Sequence, residues 1–288
     1  FKDKKEPLYN RQTRFMSIKP FTPAVLKEIM AEYNPNYTSE DLLALYSFTG
    51  GVAKYVQLLV DAGATTKTKM LNHIIKADSV FLGEGKAILI EEFGKDYGVY
   101  FSILSAIARG KTLRSEIEQI VGREIGGYLT KLEKEYEVIT KNQPIFEKSS
   151  TKNVRYTIED NFFTFWFRFI YKYNYMLEIE NYDAVKTIIN RDYETFSGKM
   201  LERYFKRVLM ESKAYTRIGS WWDRKGKNEI DIVAENELNN EAVFIEVKRK
   251  EDNFDADALN EKVDVFTRAT GKFKDYIVSQ KGLSMTDM

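Results

Sequence analysis

Two short runs rich in isoleucine and valine, residues 229–234 and 242–248, place the strongest constraint on how this chain can fold. They read Glu-Ile-Asp-Ile-Val-Ala and Ala-Val-Phe-Ile-Glu-Val-Lys, and the polar residues 235–241 separate them. β-Branched runs on either side of a polar break predict two antiparallel strands joined by a loop. The sequence therefore predicts a β-hairpin over residues 228–250.

Charged residues interrupt both predicted strands. Because side chains alternate between the two faces of a strand, Glu246 and Lys248 share one face, and Asp231 faces away from both of its isoleucine neighbours. A loop centred on residues 238–239 places Asp231 opposite Glu246, with Cβ atoms roughly 4.5–5.5 Å apart. Two facing carboxylates destabilise a sheet unless water or a cation surrounds them. The pattern predicts a site for a hard divalent metal and a phosphate, the alternative being an edge hairpin with solvated charges.

Composition narrows the classes of protein. A chain of 288 residues with 43% hydrophobic and 30% charged residues predicts a globular protein of two or three domains. The formal net charge is +1, so a nucleic-acid-binding surface would have to be local. Cysteine is absent, which excludes disulfides and thiolate metal sites. No apolar run approaches the ~20 residues of a membrane span, so we expect no membrane partner and a cytoplasmic location.

The first third of the sequence is predicted to be helical. Thr22 before Pro23 predicts one helix start, and Ser39 predicts a second N-cap. A third helical pattern covers residues 52–60, after the pair Gly50-Gly51. These patterns predict a helical segment over residues 21–82.

Two segments of this region resemble archaeal-type ATPases of the AAA+ class. Residues 7–11 are similar to the Pro-Leu-Tyr-Gly-Arg segment of those proteins, and residues 49–55 are similar to their Thr-Gly-Gly-x-Pro-x-Tyr segment, although Asn10 and Ala53 depart from them. The resemblance implies a remnant of the ATPase core over residues 1–20, with Arg11 near a nucleotide phosphate, followed by a helical lid.

A phosphate-binding loop of the form Gly-x-x-x-x-Gly-Lys-Ser/Thr does not occur in the sequence. We therefore expect no ATP hydrolysis from this chain and expect ATP to bind only to the full-length protein. Because the chain begins at Phe1, inside a charged stretch, we also expect a fragment of a longer ATPase, with a homo-oligomer formed through the ATPase portion.

Residues 83–158 show three helical patterns followed by two strand patterns, at residues 138–140 and 154–158. This order is typical of a winged helix-turn-helix module, whose third helix is offered to a DNA groove. The charges around that helix are mixed, which weakens phosphate binding. Two alternative roles follow for this module, contact with DNA and a joint between domains.

An aromatic run at residues 162–175 carries rings on every side of the predicted helix. Such a pattern predicts burial of the helix between two domains, and stacking of the rings on bases is the less favoured alternative. Arg168 lies within the run, and the sequence names no partner for it.

The last part of the chain reads as helix, three strands, helix and strand, with the first helix over residues 193–212. This order, with Asp231 followed by Glu246-Val247-Lys248, resembles the PD-(D/E)XK nuclease superfamily and implies a nuclease-like domain with a mixed sheet over residues 159–288. The resemblance makes Asp231 and Glu246 ligands of Mg²⁺ or Mn²⁺, Lys248 the catalytic lysine and Glu202 the carboxylate from the helix.

The whole chain is similar to the C-terminal part of archaeal-type ATPases in which a winged helix and a nuclease-like domain follow the lid. We therefore expect a multidomain α+β protein that cleaves DNA phosphodiesters with a divalent metal, under control of the ATPase core. The alternatives are an inactive nuclease fold that binds DNA or a protein, and a scaffold for ATPase oligomerisation.

Overall fold

Helical segments alternate with two β-sheets in this chain. The computed structural model describes residues 18–148 and 150–288, except for the side chains of Glu92 and Asp96. The α-helices are α1 (Pro23–Tyr33), α2 (Ser39–Thr49), α3 (Ala53–Asp61), α4 (Lys67–Ile74), α5 (Val80–Phe93), α6 (Tyr97–Ala108), α7 (Arg114–Val121), α8 (Gly126–Lys134), α9 (Asn161–Phe165), α10 (Asn174–Glu178), α11 (Tyr182–Ser212) and α12 (Ala256–Thr270). The strands are β1 (Ile139–Asn142), β2 (Arg155–Ile158), β3 (Arg217–Trp222), β4 (Glu229–Asn236), β5 (Glu241–Val247) and β6 (Ile277–Leu283). The predicted mixed α+β class is confirmed, whereas Arg11 and most of the predicted ATPase remnant lie outside the described residues.

The starts of α1 and α2 follow from local capping. Thr22 caps α1 by accepting a hydrogen bond from the backbone N–H of Val25, and Pro23 occupies the first turn, as predicted. The N-cap of α2 is Thr38, not Ser39, because Thr38 and Asp41 form a reciprocal capping box. A box satisfies two free N–H groups, and a serine cap one residue later would satisfy only one.

Gly51 ends the turn between α2 and α3 in a conformation that requires glycine. Its φ is +76°, and a Cβ placed there would lie 2.5 Å from the carbonyl oxygen of Phe21. The backbone N–H of Phe21 in turn donates to the Gly51 carbonyl at 2.7 Å. The turn is therefore held against the residues that precede α1.

We predict that Gly51→Ala will lower the free energy of unfolding by roughly 2–4 kcal/mol, because a left-handed backbone and a backbone clash both oppose the new methyl group. Gly63→Ala is the matched control, since Gly63 has a φ of +63° but open space around it. That variant should lose only about 1 kcal/mol. Chemical denaturation measures both, and equal losses would contradict a steric role for Phe21.

The predicted boundary between residues 82 and 83 falls inside α5. One side of this helix packs on the aromatic run: the Leu82 carbonyl accepts from Trp166 Nε1 at 3.1 Å, and a Cβ at Gly85 would lie 2.4 Å from the Trp166 ring. α5 thus joins helices α1 to α4 to the rest of the chain without a linker. The predicted domain boundaries stay a prediction.

Helices α6, α7 and α8 precede the two-stranded sheet, in the predicted order. β1 and β2 pair antiparallel with Ile139 opposite Ile158. Leu129 and Leu132 of α8 are buried, whereas Lys131 and Lys134 are exposed. The mixed charges of α8 therefore face solvent.

The first part of the aromatic run forms α9 and a π-helix over Trp166–Tyr171, where the predicted burial is confirmed, whereas Tyr175 near its end is exposed. Its fully buried rings cannot stack on bases. The Arg168 Nη1 donates to the Ala108 carbonyl at 3.5 Å, and the guanidinium lies 5.5 Å from the Phe169 ring centroid. Burial lowers the pKa of Arg168, and the Asp192 charge partly offsets this effect.

One hydrophobic core runs through all three predicted domains, since Leu43 of α2, Phe101 of α6 and Leu201 of α11 belong to it. A second core lies between the four-stranded sheet and α12 and contains Phe244 and Phe266. The four-stranded sheet therefore has one buried face toward the main core and another toward α12.

Candidate active site

The elements around the candidate site have the predicted order, α11, β3, β4, β5, α12 and β6. The sheet order is β3-β4-β5-β6, with antiparallel pairs up to β5 and a parallel pair between β5 and β6. The predicted mixed sheet is confirmed. α11 begins at Tyr182, well before the predicted start at residue 193.

The predicted hairpin register is also confirmed. Ile232 pairs with Ile245 and Val233 with Phe244, which is the register of a loop centred on residues 238–239. The ladder stops at Ile232, and Asp231 follows at the point where the strands separate. There the Asp231 Oδ2 accepts from the backbone N–H of Val247 at 2.8 Å.

A β-bulge changes the expected alternation of β4. Gly219 pairs with Val233 but Trp221 pairs with Ile230, so β4 has one residue more than β3 between these pairs. As a result Ile230 packs in the α12 core and Ile232 packs in the main core. The expectation that both isoleucines share a face is wrong, because a bulge re-aims the side chains that it contains.

Glu246 lies at the centre of the charged cluster, with only 9% of its side chain exposed. Its Oε1 accepts from Lys248 Nζ at 2.7 Å and from Lys262 Nζ on α12 at 2.9 Å. Its Oε2 is buried and has no hydrogen-bond partner among the described residues. A buried carboxylate oxygen without a hydrogen-bond partner destabilises the folded state unless a cation or a water molecule binds it.

Glu202 on α11 lies within electrostatic reach of Asp231. Both of its oxygens accept from Lys199 Nζ, at 2.9 and 3.1 Å, and 24% of its side chain is exposed. Burial and the Asp231 charge raise the pKa of Glu202 to about 7, with Lys199 opposing. Burial and the Glu246 charge likewise raise the pKa of Asp231. Mutual repulsion among these carboxylates is the property expected of a site for a cation.

Lys248 is held as a cation. Burial alone would lower its pKa, but the hydrogen bond and charge of Glu246 outweigh burial and raise it. A lysine of this kind supplies a point charge and does not act as a base at neutral pH.

The carboxylates are close enough to interact but are not arranged as a finished metal site. In the described part of the chain, no group of three or more His, Cys, Asp or Glu side chains has the geometry to hold a metal ion. Lysines hold both Glu202 and Glu246. The carboxylate oxygens are donors of the type that Mg²⁺ and Mn²⁺ prefer, and Oε2 of Glu246 has no hydrogen-bond partner among the described residues.

Two arginines near the candidate site pair with carboxylates of the protein. Arg249 donates to Glu40 Oε2 on α2 and to Ser197 Oγ on α11, both at 2.5 Å. Arg217 lies 3.8 Å from Glu235 Oε2. The exposed lysines 225 and 227 remain available on the turn between β3 and β4, which Asp223 orders through their backbone N–H groups.

Sequence reasoning missed Lys262, although a signal was present. Lys262 lies three residues after Leu259 and four before Phe266, both of which face the sheet. A lysine at that spacing shares the inner side of an amphipathic helix.

Residues 166–262 match DUF234, a family described as archaeal and bacterial proteins of unknown function. An uncharacterized protein of Methanocaldococcus jannaschii is 32% identical over 262 residues, which are 86% of this chain and 56% of that protein. The chain thus spans little more than half the length of this relative. No solved structure matches the chain.

The DUF234 match contains the whole candidate site. It includes Glu202, Asp231, Glu246 and Lys248, and it ends at Lys262. Among the described helices, none is long and apolar enough to cross a membrane.

Proposed function

We propose that this chain is the C-terminal part of a AAA+-type ATPase and that its nuclease-like domain cleaves DNA phosphodiester bonds with Mg²⁺ or Mn²⁺. The lid would comprise residues 21–82 and the winged helix residues 83–158. Cleavage would depend on the site at the end of the β4–β5 hairpin.

The observation that carries this proposal is the convergence of Asp231, Glu246 and Glu202 with Lys248 at the end of the β4–β5 ladder. The helix–strand order around it matches the order expected of PD-(D/E)XK nucleases. Desolvated carboxylates next to a cationic lysine are typical of sites that act on phosphate esters.

Each residue has a role that follows from its surroundings. A divalent cation held by Asp231, Glu246 and Glu202 would supply charge neutralisation and an acidified water. The backbone N–H of Val247 orients the Asp231 carboxylate. Lys248 keeps its proton beside Glu246 and presents a positive charge to a phosphate oxygen in the transition state.

The two-stranded sheet of the winged-helix segment packs against this domain. Arg155 on β2 pairs with Glu229 at 2.9 Å, at the start of β4, and the Ile145 N–H donates to the Ser220 carbonyl at 2.8 Å. These contacts support an interdomain joint for the wing. The exposed side of α8 is left for DNA.

One observation favours a second candidate, a module that binds DNA without cleaving it. Two lysines already neutralise Glu246, and such a cluster is stable without a metal. In that case only the basic residues near the site would contact the phosphate backbone.

A plasmid assay separates the two functions. We expect the chain to nick and linearise supercoiled plasmid in Mg²⁺ or Mn²⁺ and to stop when a chelator is added. Asp231→Asn should lose this activity, because it removes a ligand charge and keeps the shape. A plasmid left intact in both metals, but retarded on a gel in a salt-sensitive way, would support the binding module instead.

A further inference from the structure

The carboxylate of Glu246 is held asymmetrically. Two ammonium groups, on Lys248 and Lys262, share Oε1, whereas Oε2 is buried without a partner in the described part of the chain. Two cations on one oxygen fix the plane of the carboxyl group and leave the other oxygen for a ligand. The arrangement therefore separates a held oxygen from a free one.

The two lysines differ in how they are anchored. Lys248 follows directly after β5, where the strands separate. Lys262 lies within α12, and its helix is fixed by Leu259, Val263 and Phe266, which are buried in the α12 core. Packing on both sides of Lys262 sets its direction toward the sheet, whereas Lys248 is anchored through its backbone N–H, which donates to the Leu283 carbonyl at 2.9 Å.

If Lys248 contacts a phosphate, its ammonium group must weaken its hydrogen bond with Oε1 of Glu246. If Lys248 were the only partner, its departure would release Oε1 as well and would free the carboxyl group to rotate. With Lys262 in place, Oε1 keeps a charged donor at 2.9 Å. Charged hydrogen bonds of this type hold orientation strongly.

We propose that Lys262 is a positioning residue, which holds Oε1 of Glu246 so that Oε2 stays directed at the cation while Lys248 turns to the scissile phosphate. This inference rests on the proposed metal-dependent function. It assigns separate tasks to the two lysines: Lys262 orients a ligand and Lys248 contacts the substrate.

The test is the affinity of the whole chain for Mn²⁺, measured by isothermal titration calorimetry without DNA. Lys262→Met should weaken Mn²⁺ binding on the order of 10-fold to 100-fold, as loss of an orienting partner of a metal ligand does. Lys262→Arg should restore most of the affinity, because it keeps a charged donor. Arg268→Met, which changes an exposed residue of the same helix, should bind Mn²⁺ with nearly unchanged affinity.

The outcomes distinguish the inference from the function on which it rests. Unchanged Mn²⁺ affinity in Lys262→Met would overturn the positioning role alone. Tighter binding in that variant would overturn it too, by showing that Lys262 competes with the cation. A wild-type chain that binds neither Mn²⁺ nor Mg²⁺ would overturn both proposals. Circular dichroism of each variant confirms that the comparison is between folded proteins.

Discussion

Replacing Lys248 by methionine will lower the rate of metal-dependent DNA cleavage on the order of 100-fold to 1000-fold, the loss typical of removing one preorganised donor from a charged transition state. Methionine keeps the length and much of the volume of the side chain and removes the ammonium group. That group lies 2.7 Å from Glu246 Oε1 and is kept protonated there. The loss should therefore appear in kcat, because the charge that the lysine stabilises develops in the transition state.

Lys250→Met is the matched control. Lys250 lies two residues further along the chain and is exposed. Its replacement by methionine removes one positive charge, as the replacement of Lys248 does. Its variant should cleave at nearly the wild-type rate, with a small effect on DNA affinity. Equal cleavage by the Lys248→Met protein and the wild type would contradict the proposed catalytic role of Lys248.

Replacing Phe165 by alanine will lower the free energy of unfolding by roughly 3–5 kcal/mol, the range for a phenylalanine removed from a packed core. Phe165 is 0% exposed, and its ring centroid lies 4.7 Å from that of Phe48 on α2 and 5.6 Å from that of Phe169. It therefore joins α2 to the aromatic run. A loss of this size is a large fraction of the stability of a typical domain.

Tyr175→Ala serves as the control, since Tyr175 belongs to the same aromatic run but is 58% exposed. Its effect should stay within about 0.5 kcal/mol. Guanidinium denaturation followed by tryptophan fluorescence and by circular dichroism measures both variants. Because helices α1 to α4 and the face of the sheet toward α11 share one core, we expect the two signals to change together. Separate transitions would contradict a single continuous core.

The β4–β5 hairpin has one feature that the sequence predicts and one that it does not. Its register was predictable because the loop length and the β-branched pattern both specify it, and one slipped residue would exchange the two faces of the strands. The bulge opposite Ser220 was not predictable. It depends on how β3 pairs with β4, and β3 carries no pattern that indicates one missing residue.

The contacts around the candidate site divide in the same way. Glu202, Asp231, Glu246 and Lys248 could be proposed from their spacing and from a family resemblance. The structure places Asp231 within electrostatic reach of the other carboxylates. Lys199 as the partner of Glu202 and Lys262 as the second partner of Glu246 were not predicted, because lysines on helix surfaces are common and most are solvated.

The ion pair of Arg249 is a further contact that joins residues far apart in the chain. Arg249 follows Lys248 directly in the chain, but it pairs with Glu40, 209 residues away in the sequence. No local pattern relates an arginine after a strand to a glutamate in a helix of another segment.

The sequence by itself determined the order of the helices and strands, the hairpin register and the residue types of the candidate site. These properties depend on side-chain periodicity and on turn chemistry, which act over a few neighbouring residues. The tertiary structure alone decided that three predicted domains share one core, that a bulge re-aims β4 at Asp231, and that Oε2 of Glu246 is the oxygen left free. Each depends on residues far apart in the chain, because packing and charge pairing act through space.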